Sequence, residues 1–511
     1  MHSIKPSPYL FAVGPLLAVF LATPLAAQTD SSALRDAVTL QAIRAHQQAL
    51  ADFAAANGGT RVANSPGYDA SVRYVEEKLR DAGYQVTIQP FHFLLFEEAS
   101  PPTLVQTAPG STTYTPGTDF LTVRYSGSGS LEGVVVPTAD LVMPPSAEPS
   151  SNSGCEAADF PNAPAEPAVA LVQRGTCTYQ QKVDNAVAAG YDAVLIFNEG
   201  QEDRRDVTQG TLNDPVSIPV VTTSFALGDE LQAGGARVRI VIETTTEAVP
   251  TMNVIAESQG GSADRVVIVG AYLDSVTEGP GINDNGSGTA AILEIAIQMD
   301  KLATTPANRV RFAFFGAEEW GLLGSKHYVD QLTSEELSKI VLNLNYDMLG
   351  SPNPVSFVYD GNGSETGPVG PPGSAEIEQV FLDYFRAQNS PSRATAFDGR
   401  SDYGPFIDKG IPAGGLFSGA EAVKSADEAA AFGGVAGQPY DKCYHQACDD
   451  FTNNNDASLD ALTDAAAHAV LHFATTLPPP VVTAFAAGAA RAASAVPLDT
   501  LPFSGEGQFQ K

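Results

Sequence analysis

Short apolar runs alternate with helix-like segments along the second half of the chain. Between Met252 and residue 477 the runs are rich in β-branched residues, and the segments between them carry apolar residues at helical spacing. Strands that are apolar throughout are buried on both faces, and strands that alternate with helices form parallel sheets covered on both sides. The pattern therefore predicts an α/β fold, a three-layer sandwich around a mainly parallel sheet. The runs are NVIAES, RVVIVGAY, RVRFAFFGA, VLNLNYDML and IPAGGLF.

A similar unit lies near the start of the chain, in residues 61–91. The turn-forming sequence SPG precedes Val72, Val75 and Leu79, which are spaced as on one face of a helix. AGY ends this helix, and QVTIQPF after it has the character of a strand. We therefore expect residues 28–100 to form the first part of the same domain.

The residues between these two parts have a different character. Pro, Ser, Thr and Gly dominate residues 100–150, with short β-like runs such as GVVVP. A buried strand, a helix over about 179–189 that Gly190 ends, and a second buried strand follow. The sequence predicts a small β-rich module, residues 101–245, inserted before the main domain at 246–477.

The two ends of the chain do not fit a packed domain. Lys5, an apolar run over 9–21 and small residues up to Ala27 have the layout of a secretory signal peptide, residues 1–27. The alternative is a membrane anchor, but the apolar run is short for a span. We expect an exported protein, secreted or periplasmic, without stable membrane insertion after cleavage. The Pro- and Ala-rich tail, 478–511, is expected to be poorly ordered.

Charge limits the possible partners. The net charge is −31, from 28 basic and 59 acidic residues. Such a balance argues against nucleic acid or an anionic membrane as a partner. We expect a monomer.

The four cysteines fit an oxidising compartment. They allow three pairings. The pairs Cys155–Cys177 and Cys443–Cys448 are favoured, because each pair lies within one local segment. Four free buried thiols are the alternative, which the export signal disfavours.

Acidic residues and one histidine follow the predicted strands. The loops at the carboxyl ends of parallel strands gather at one edge of the sheet, where sites form. Taken singly, Asp284 could cap a helix, and the glutamates at 318 and 319 could be a first-turn pair that the helix dipole favours. Asp347 could be a turn residue, and His445 could be structural. Together they call for a divalent cation. The residues are Asp274 and Asp284 after RVVIVGAY, Glu318 and Glu319 after RVRFAFFGA, Asp347 after VLNLNY, and His445 in DKCYHQACDD.

Zinc fits a mixed set of carboxylates and imidazole best, although Co, Mn and Mg remain open. Zinc makes water nucleophilic near neutral pH, and two ions about 3.5–4 Å apart can hold both the attacking water and a substrate carbonyl. Of the adjacent Glu318 and Glu319, one can bind metal while the other takes a proton. The combination predicts hydrolysis of an amide or an ester.

Five motifs in the main domain can be compared with known families: GPGINDNGSG, FFGAEEWGLLGS, NYDMLG, DGRSDYGPF and CYHQAC. They resemble those of the secreted co-catalytic two-zinc aminopeptidases of the bacterial leucyl and vacuolar type. The resemblance covers about 61–91 and 252–475, and the motifs stand in the same order. Within the insert, VALVQRGTCTYQQKVDNAVAAGYDAVLIFNEG resembles the protease-associated domain.

The resemblance implies a zinc-exopeptidase fold and two zinc ions. Asp284 would bridge the ions, Glu319 and His445 would hold one of them, and Asp347 would help to hold the other. Glu318 would be the general base. The Cys443–Cys448 pair would brace the loop that carries His445.

The resemblance also implies residues that contact the substrate. Tyr444 would polarise the scissile carbonyl or stabilise the oxyanion. Arg400 and Asp347 would bind the free α-amine of a peptide, through backbone and carboxylate. For Tyr444 and Arg400 the alternatives are ordinary packing and a surface ion pair.

One position departs from the family pattern. Where the family has His-x-Asp, this chain has Tyr272-Leu273-Asp274. The missing histidine would be a zinc ligand, and Asp274 would orient it. A phenol binds zinc only as phenolate, and its ordinary pKa is about 10. We therefore predict one firmly held zinc and a second that is weak, exchangeable or absent, with Tyr272 a doubtful ligand.

Three functions follow from these observations. The first is a zinc-dependent aminopeptidase that hydrolyses N-terminal residues from peptides. The second is a catalytically impaired homologue that binds peptides or a partner, with Tyr272 as the mark of lost activity. The third is a carboxypeptidase on the same fold. The insert is either a lid that gates the substrate or a passive module.

Overall fold

A computed structural model describes residues 29–202 and 204–476. The predicted signal peptide and the predicted C-terminal tail lie outside the described residues. The helices are α1 (Ser32–Ala37), α2 (Leu40–Ala56), α3 (Pro66–Asp81), α4 (Tyr179–Ala188), α5 (Phe225–Gln232), α6 (Gly286–Lys301), α7 (Leu323–Asp330), α8 (Ser334–Lys339), α9 (Ser374–Ala387), α10 (Gly404–Asp408), α11 (Ala426–Phe432) and α12 (Asp456–Thr475), and a 3₁₀ helix spans Ala157–Asp159. The strands are β1 (Gln85–Ala108), β2 (Thr112–Thr113), β3 (Phe120–Thr122), β4 (Gly129–Pro137), β5 (Ala168–Gln173), β6 (Ala193–Phe197), β7 (Val220–Thr223), β8 (Arg237–Glu257), β9 (Ser262–Tyr272), β10 (Asn308–Phe315), β11 (Ile340–Tyr346), β12 (Phe357–Tyr359), β13 (Arg393–Thr395) and β14 (Ala413–Phe417).

The main domain is built on a mainly parallel sheet, as the apolar runs predict. Its strand order is β13-β12-β14-β11-β9-β10-β8, with β1 pairing β8. The central neighbours β9–β10, β9–β11 and β11–β14 are parallel. Antiparallel pairs flank them at β10–β8 and β12–β14.

Helices cover both faces of this sheet, because β9 is apolar on both. Val267 and Val269 belong to a core shared with α6 and α12. Val266 and Ile268 belong to a second core, shared with α7, α8 and α10. The alternation of neighbouring residues between two cores makes the domain a three-layer sandwich.

Local sequence explains how the flanking helix α3 begins. The Ser65 hydroxyl accepts a hydrogen bond from the backbone N–H of Tyr68, and Pro66 occupies the first position of the helix. The buried face carries Val72, Val75 and Leu79, the three residues whose spacing predicts it. The strand after it is longer than QVTIQPF: β1 runs to Ala108 and pairs with β8 along its length.

The insert forms its own layered unit beside the main domain. Strands β4, β5, β6 and β7 are parallel neighbours, and β3 adds an antiparallel edge. Helices α4 and α5 cover the sheet, and buried apolar residues form a core on each face. Strand β8 joins the two units, since it pairs β4 over 237–242 and β10 over 254–257. Cys155 and Cys177 form a disulfide bond within the insert.

No helix within residues 29–202 and 204–476 has both the length and the apolar character that crossing a bilayer requires.

Candidate metal centre

The carboxyl ends of three central strands meet at one cleft. Strand β9 ends at Tyr272, β10 at Phe315 and β11 at Tyr346. The loops after them carry the predicted acids, and the late loop that contains His445 folds over the same edge. The cleft is lined by Tyr272, Glu318, Glu319, Asp347, Met348, Tyr359, Thr395, Ala396, Asp398, Arg400, Ser401, Phe417, Ala420, Tyr444 and His445.

Asp284, Glu319 and His445 form a group that one metal ion could bind. The imidazole Nε2 of His445 lies 3.3 Å from Asp284 Oδ2 and 3.2 Å from Glu319 Oε2. One potential ligand atom from each residue lies within 4.8 Å of the others. Asp284 Oδ2 and Glu319 Oε1 are buried and accept no hydrogen bond from the described residues. Two carboxylates and an imidazole with free lone pairs fit a divalent cation such as zinc.

The charges around Asp284, Glu319 and His445 favour a positively charged group between them. Burial opposes protonation of the imidazole, but the carboxylates of Glu319 and Asp284 outweigh it and raise the pKa of His445 to about 11. Burial, followed by the charge of Asp284, raises the pKa of Glu319, and His445 opposes the rise. The three side chains therefore form a pocket in which a bound proton or cation is stabilised.

Asp284 is positioned by the late loop, through Asp449, and by the start of α6. The carboxylate of Asp449 accepts hydrogen bonds from the backbone N–H groups of Asn283 and Asp284, each at 2.9 Å. The cap of α6 is Asn285 rather than Asp284, because the Asn285 side chain accepts from the N–H of Gly288 at 2.9 Å. A Cβ at Gly288 would lie 2.3 Å from the carbonyl oxygen of Tyr346, so glycine lets α6 approach the end of β11.

His445 lies on a loop closed by the disulfide bond between Cys443 and Cys448. Its backbone has φ of +54°, in the left-handed region. The backbone N–H of Cys443 donates a 2.8 Å hydrogen bond to Asp441 Oδ1. The ring of Tyr444 stacks on the imidazole with centroids 3.8 Å apart. These contacts fix the direction of the imidazole.

Glu318 is held through its backbone beside the metal-binding group. Its N–H donates a 3.1 Å hydrogen bond to Asp274 Oδ1, and its side chain is buried in the cleft wall. Burial, then the charge of Glu319, raises the pKa of Asp274 well above its usual range. Asp274 thus orients the loop that carries Glu318. In the family pattern the same aspartate would instead orient the histidine that Tyr272 replaces.

Arg61 is a residue of the site that the sequence did not single out. It is fully buried, and its guanidinium donates to the carbonyl oxygens of Leu273, Pro280 and Gly281. These acceptors lie just before Asp274 and along the loop between Asp274 and Asp284. A buried arginine therefore organises that loop and offsets part of the acidic charge. The sequence did not single out Asp449 either. The two consecutive aspartates that follow CYHQAC could have indicated it as a candidate site residue.

Tyr444 and Arg400 lie side by side at the cleft. The Arg400 guanidinium lies 2.9 Å from Glu421 Oε1, and it donates a long, 3.5 Å hydrogen bond to the Tyr444 hydroxyl. Burial raises the pKa of Tyr444 well above its usual range, with Asp284 adding to the effect. The phenol is therefore a neutral hydrogen-bond donor.

Tyr272 is buried between the metal-binding group and Asp347. Its hydroxyl donates a hydrogen bond to Asp284 Oδ1, and its ring belongs to an apolar cluster with Phe315 and Phe406. Burial, then the charges of Asp284 and Asp347, raises the pKa of Tyr272 well above 10. The Tyr272 hydroxyl is therefore a hydrogen-bond donor to one oxygen of Asp284.

Asp347 lies beside Tyr272 without joining the metal-binding group. Within the described residues, the group of potential ligands contains only Asp284, Glu319 and His445. Asp347 Oδ1 is buried without a hydrogen-bond donor. Burial and the charge of Asp284 raise the pKa of Asp347 well above its usual range, while the Ser401 and Tyr272 hydroxyls oppose the rise.

Three further histidines of the main domain, His327, His468 and His472, contact residues outside the metal-binding group. His327 lies on α7, where its ring stacks on Phe91 with centroids 4.9 Å apart. His468 and His472 lie on α12, where they contact Ser31 and Thr29.

Models of known families match two parts of the chain. Residues 253–470 match peptidase family M28, and residues 137–231 match the PA domain. An aminopeptidase of Pseudomonas aeruginosa is 46% identical over 424 residues, which covers 82% of this chain and 78% of the relative. A probable lipoprotein aminopeptidase of Mycobacterium tuberculosis, LpqL, is 41% identical over 459 residues, 88% of each chain. A leucine aminopeptidase 2 of Arthroderma otae is 36% identical over 461 residues, 89% of this chain and 88% of the relative.

Solved structures share the fold. An aminopeptidase from Aneurinibacillus sp. strain AM-1 superposes with a TM-score of 0.68 at 24% identity, over 88% of this chain and 97% of that one. The zinc aminopeptidase BSAP from Bacillus subtilis superposes with a TM-score of 0.56 at 23% identity, over 87% and 97%.

Proposed function

The chain belongs to peptidase family M28 and carries a PA domain, and on this basis we propose that it is an exported zinc-dependent aminopeptidase. Its substrates are peptides with a free N-terminus. The observation that carries the proposal is the group formed by Asp284, Glu319 and His445 in the same cleft as Glu318.

Asp284, Glu319 and His445 are the residues that hold the zinc. All three side chains are nearly buried, and their free oxygen atoms have no other partner in the described part of the chain. When bound, zinc supplies a Lewis acid that makes water nucleophilic near neutral pH. The B. subtilis protein BSAP, which shares the fold, is named a zinc aminopeptidase.

Glu318 acts as the general base. Its carboxylate lines the cleft next to Glu319, and its backbone is fixed by the hydrogen bond to Asp274. A carboxylate in this position takes a proton from the attacking water and returns it to the leaving amine. The two adjacent glutamates therefore have different roles, since Glu319 binds the metal and Glu318 transfers the proton.

Tyr444 and Arg400 act on the substrate. The Tyr444 hydroxyl donates a hydrogen bond to the scissile carbonyl oxygen as negative charge develops there. Arg400 keeps that hydroxyl in place through the 3.5 Å contact, and Glu421 anchors the guanidinium in turn. Asp347 lies across the cleft, where its carboxylate accepts from the α-ammonium group of the peptide.

Export is supported by two observations. The described residues contain two disulfide bonds, which persist in oxidising compartments. The M. tuberculosis relative is named a lipoprotein aminopeptidase.

A catalytically impaired, peptide-binding homologue is the second candidate. The observation that favours it is Tyr272, which stands where the family has a metal-binding histidine. The same cleft would then bind a peptide N-terminus without cleaving it. No contact among the described residues favours a carboxypeptidase.

Hydrolysis of a leucyl chromogenic amide by the purified mature chain tests the proposal. We expect turnover that a chelator abolishes and added zinc restores. The N-acetylated substrate is the control, and it should not be cleaved, because it lacks the ammonium group. Equal cleavage of both substrates would contradict the aminopeptidase assignment. Absence of turnover with measurable binding of the peptide would favour the impaired homologue.

A further inference from the structure

We propose that the metal centre of this chain is mononuclear, because the Tyr272 hydroxyl fills the second metal position and leaves Asp347 to bind the substrate's ammonium group. The inference rests on the proposed function in taking Asp284, Glu319 and His445 as the zinc ligands and a peptide with a free N-terminus as the substrate.

The two carboxylate oxygens of Asp284 have different partners. Oδ2 faces His445 Nε2 at 3.3 Å and is free of hydrogen bonds from the described residues. Oδ1 accepts the hydrogen bond from the Tyr272 hydroxyl. A carboxylate that bridges two ions needs both oxygens. Here one oxygen is available for metal, and a proton donor occupies the other.

The covalent geometry of tyrosine explains why the phenol excludes an ion. A tyrosine hydroxyl lies farther from its Cβ than either nitrogen of a histidine does. At a position where histidine would reach a metal ion, the hydroxyl oxygen of tyrosine therefore stands close to the place of the ion itself. The ring cannot withdraw, because Phe315 and Phe406 pack in the same cluster and Tyr272 is 3% exposed.

Asp347 then has no metal to bind. Its side chain lines the cleft, and its Oδ1 is buried without a hydrogen-bond donor in the described part of the chain. A buried carboxylate oxygen without a donor is costly, so this oxygen favours a ligand group that brings both hydrogen-bond donors and positive charge. The α-ammonium group of a peptide carries that charge and three N–H donors. The second positive charge of the site thus comes from the substrate.

Zinc stoichiometry tests the proposal independently of activity. The purified mature chain is stripped with a chelator, reloaded with zinc alone, freed of excess ion and analysed for zinc per chain. We expect one zinc for the wild type, one for Tyr272→Phe and two for Tyr272→His. Tyr328→Phe, which removes the hydroxyl of another buried tyrosine that contacts Arg311, is the matched control and should also bind one.

Two results would overturn the proposal. The first is two tightly bound zinc ions in the wild type, with one lost in Tyr272→Phe, since the phenol would then be a ligand. The second is one zinc in a folded Tyr272→His variant, since Tyr272 would then not be what excludes the second ion.

Asp347→Asn supplies a test that does not depend on folding of the histidine variant. A mononuclear centre predicts an unchanged zinc count and a KM for leucyl amide that rises at least tenfold. Loss of one zinc on this substitution would instead make Asp347 a metal ligand and refute the proposal. If the wild type binds one zinc but does not cleave the amide, the proposed function fails while the mononuclear centre stands.

Discussion

The guanidinium of Arg124 lies 4.9 Å from the centre of the Trp320 ring and donates a 3.2 Å hydrogen bond to the Trp320 carbonyl oxygen. Arg124 follows β3 in the insert, whereas Trp320 directly follows Glu319. The contact therefore ties the insert to the loop that carries Glu318 and Glu319. This tie gives the insert a structural connection to the cleft, whichever role it has in substrate entry.

Replacing Arg124 with alanine should lower activity by loosening that loop. A cation–π contact is worth about 1–2 kcal/mol, so the fall in kcat/KM should be at most roughly 5- to 30-fold. Arg124→Lys should lose less, since it keeps the charge but not the planar stacking. Steady-state kinetics on a leucyl amide measure the effect. Arg239→Ala, which breaks an exposed ion pair of the insert with Glu132, is the control and should change nothing. Equal kinetics for the Arg124 and Arg239 variants would mean that the contact between Arg124 and Trp320 does not support the loop that carries Glu318 and Glu319.

Replacing Glu318 with glutamine should abolish turnover but leave zinc bound. The amide keeps the size of the side chain and cannot accept a proton, so kcat should fall by about 10²- to 10⁴-fold. Zinc analysis and kinetics on the same sample provide the measurement. Glu319→Gln is the matched variant: it should lose zinc as well as activity. Retained turnover in Glu318→Gln would exclude Glu318 as the general base.

Replacing Tyr444 with phenylalanine should lower kcat rather than raise KM. The hydroxyl is expected to bind the carbonyl oxygen more strongly in the transition state than in the ground state, so its loss should cost about 100-fold in kcat. The ring would still stack on His445, and zinc content should not change. Arg400→Ala should reproduce part of the loss. A variant whose KM alone changes would show that Tyr444 only binds the substrate.

The two disulfide bonds should contribute differently to stability and to metal binding. Cys443 and Cys448 close a short loop, with a sequence separation of 5, and Cys155 and Cys177 close a longer one, with a separation of 22. Loop entropy alone predicts stabilisation by about 2 and about 3 kcal/mol. Because the short loop carries His445, a double Cys→Ser variant there should also weaken zinc binding, by about 10- to 100-fold. The double variant in the insert is the control, and its zinc affinity should stay unchanged. Similar zinc affinities in both variants would contradict the bracing role.

Periodicity and turn residues were sufficient to predict the layers of the fold. The apolar runs that become β9, β10 and β11 are continuous, and their ends mark where loops begin. Parallel strands share one edge, so the residues after them were expected to converge. The insert was also recognisable from its change in composition. The extension of β1 to Ala108 was not expected, because Ser and Pro residues interrupt the pattern and the strand continues only by pairing with β8.

Contacts of single residues could not be predicted in the same way. Arg61 and Asp449 organise the loop around Asp284, yet each is one charged residue far away in sequence and part of no periodic pattern. The sequence shows that Tyr272 stands where the family has a metal-binding histidine. It does not show where the hydroxyl points, because that direction depends on how the ring packs. Likewise, Arg124 and Trp320 belong to different units, whose contact no local pattern encodes.

His468 should make the folded chain less stable as the pH falls. Its ring is buried between helices: Nδ1 lies 2.9 Å from the Ser31 hydroxyl, and the ring centre lies 4.9 Å from that of Tyr384. Burial, then the neighbouring charges of His472 and Arg35, lowers the pKa of His468 from 6.5 to about 4. The unfolded chain therefore binds this proton near pH 6.5, while the folded chain does not bind it until about pH 4. Stability is then fully present above pH 6.5 and falls as the pH drops towards 4.

The effect of His468 can be isolated by comparing two variants. After allowance for partial solvent screening, the pKa shift corresponds to about 2 kcal/mol lost on acidification. His468→Gln keeps a polar side chain beside Ser31 but cannot titrate, so its unfolding free energy should fall by about 2 kcal/mol less between pH 7 and pH 4. Urea unfolding, with chelator present throughout so that metal loss does not contribute, measures the difference. His92→Gln, at an exposed position of β1, is the control and should follow the wild type. Parallel curves for wild type and His468→Gln would mean that the pKa of His468 is the same in the folded and the unfolded chain, so that burial does not oppose its charge.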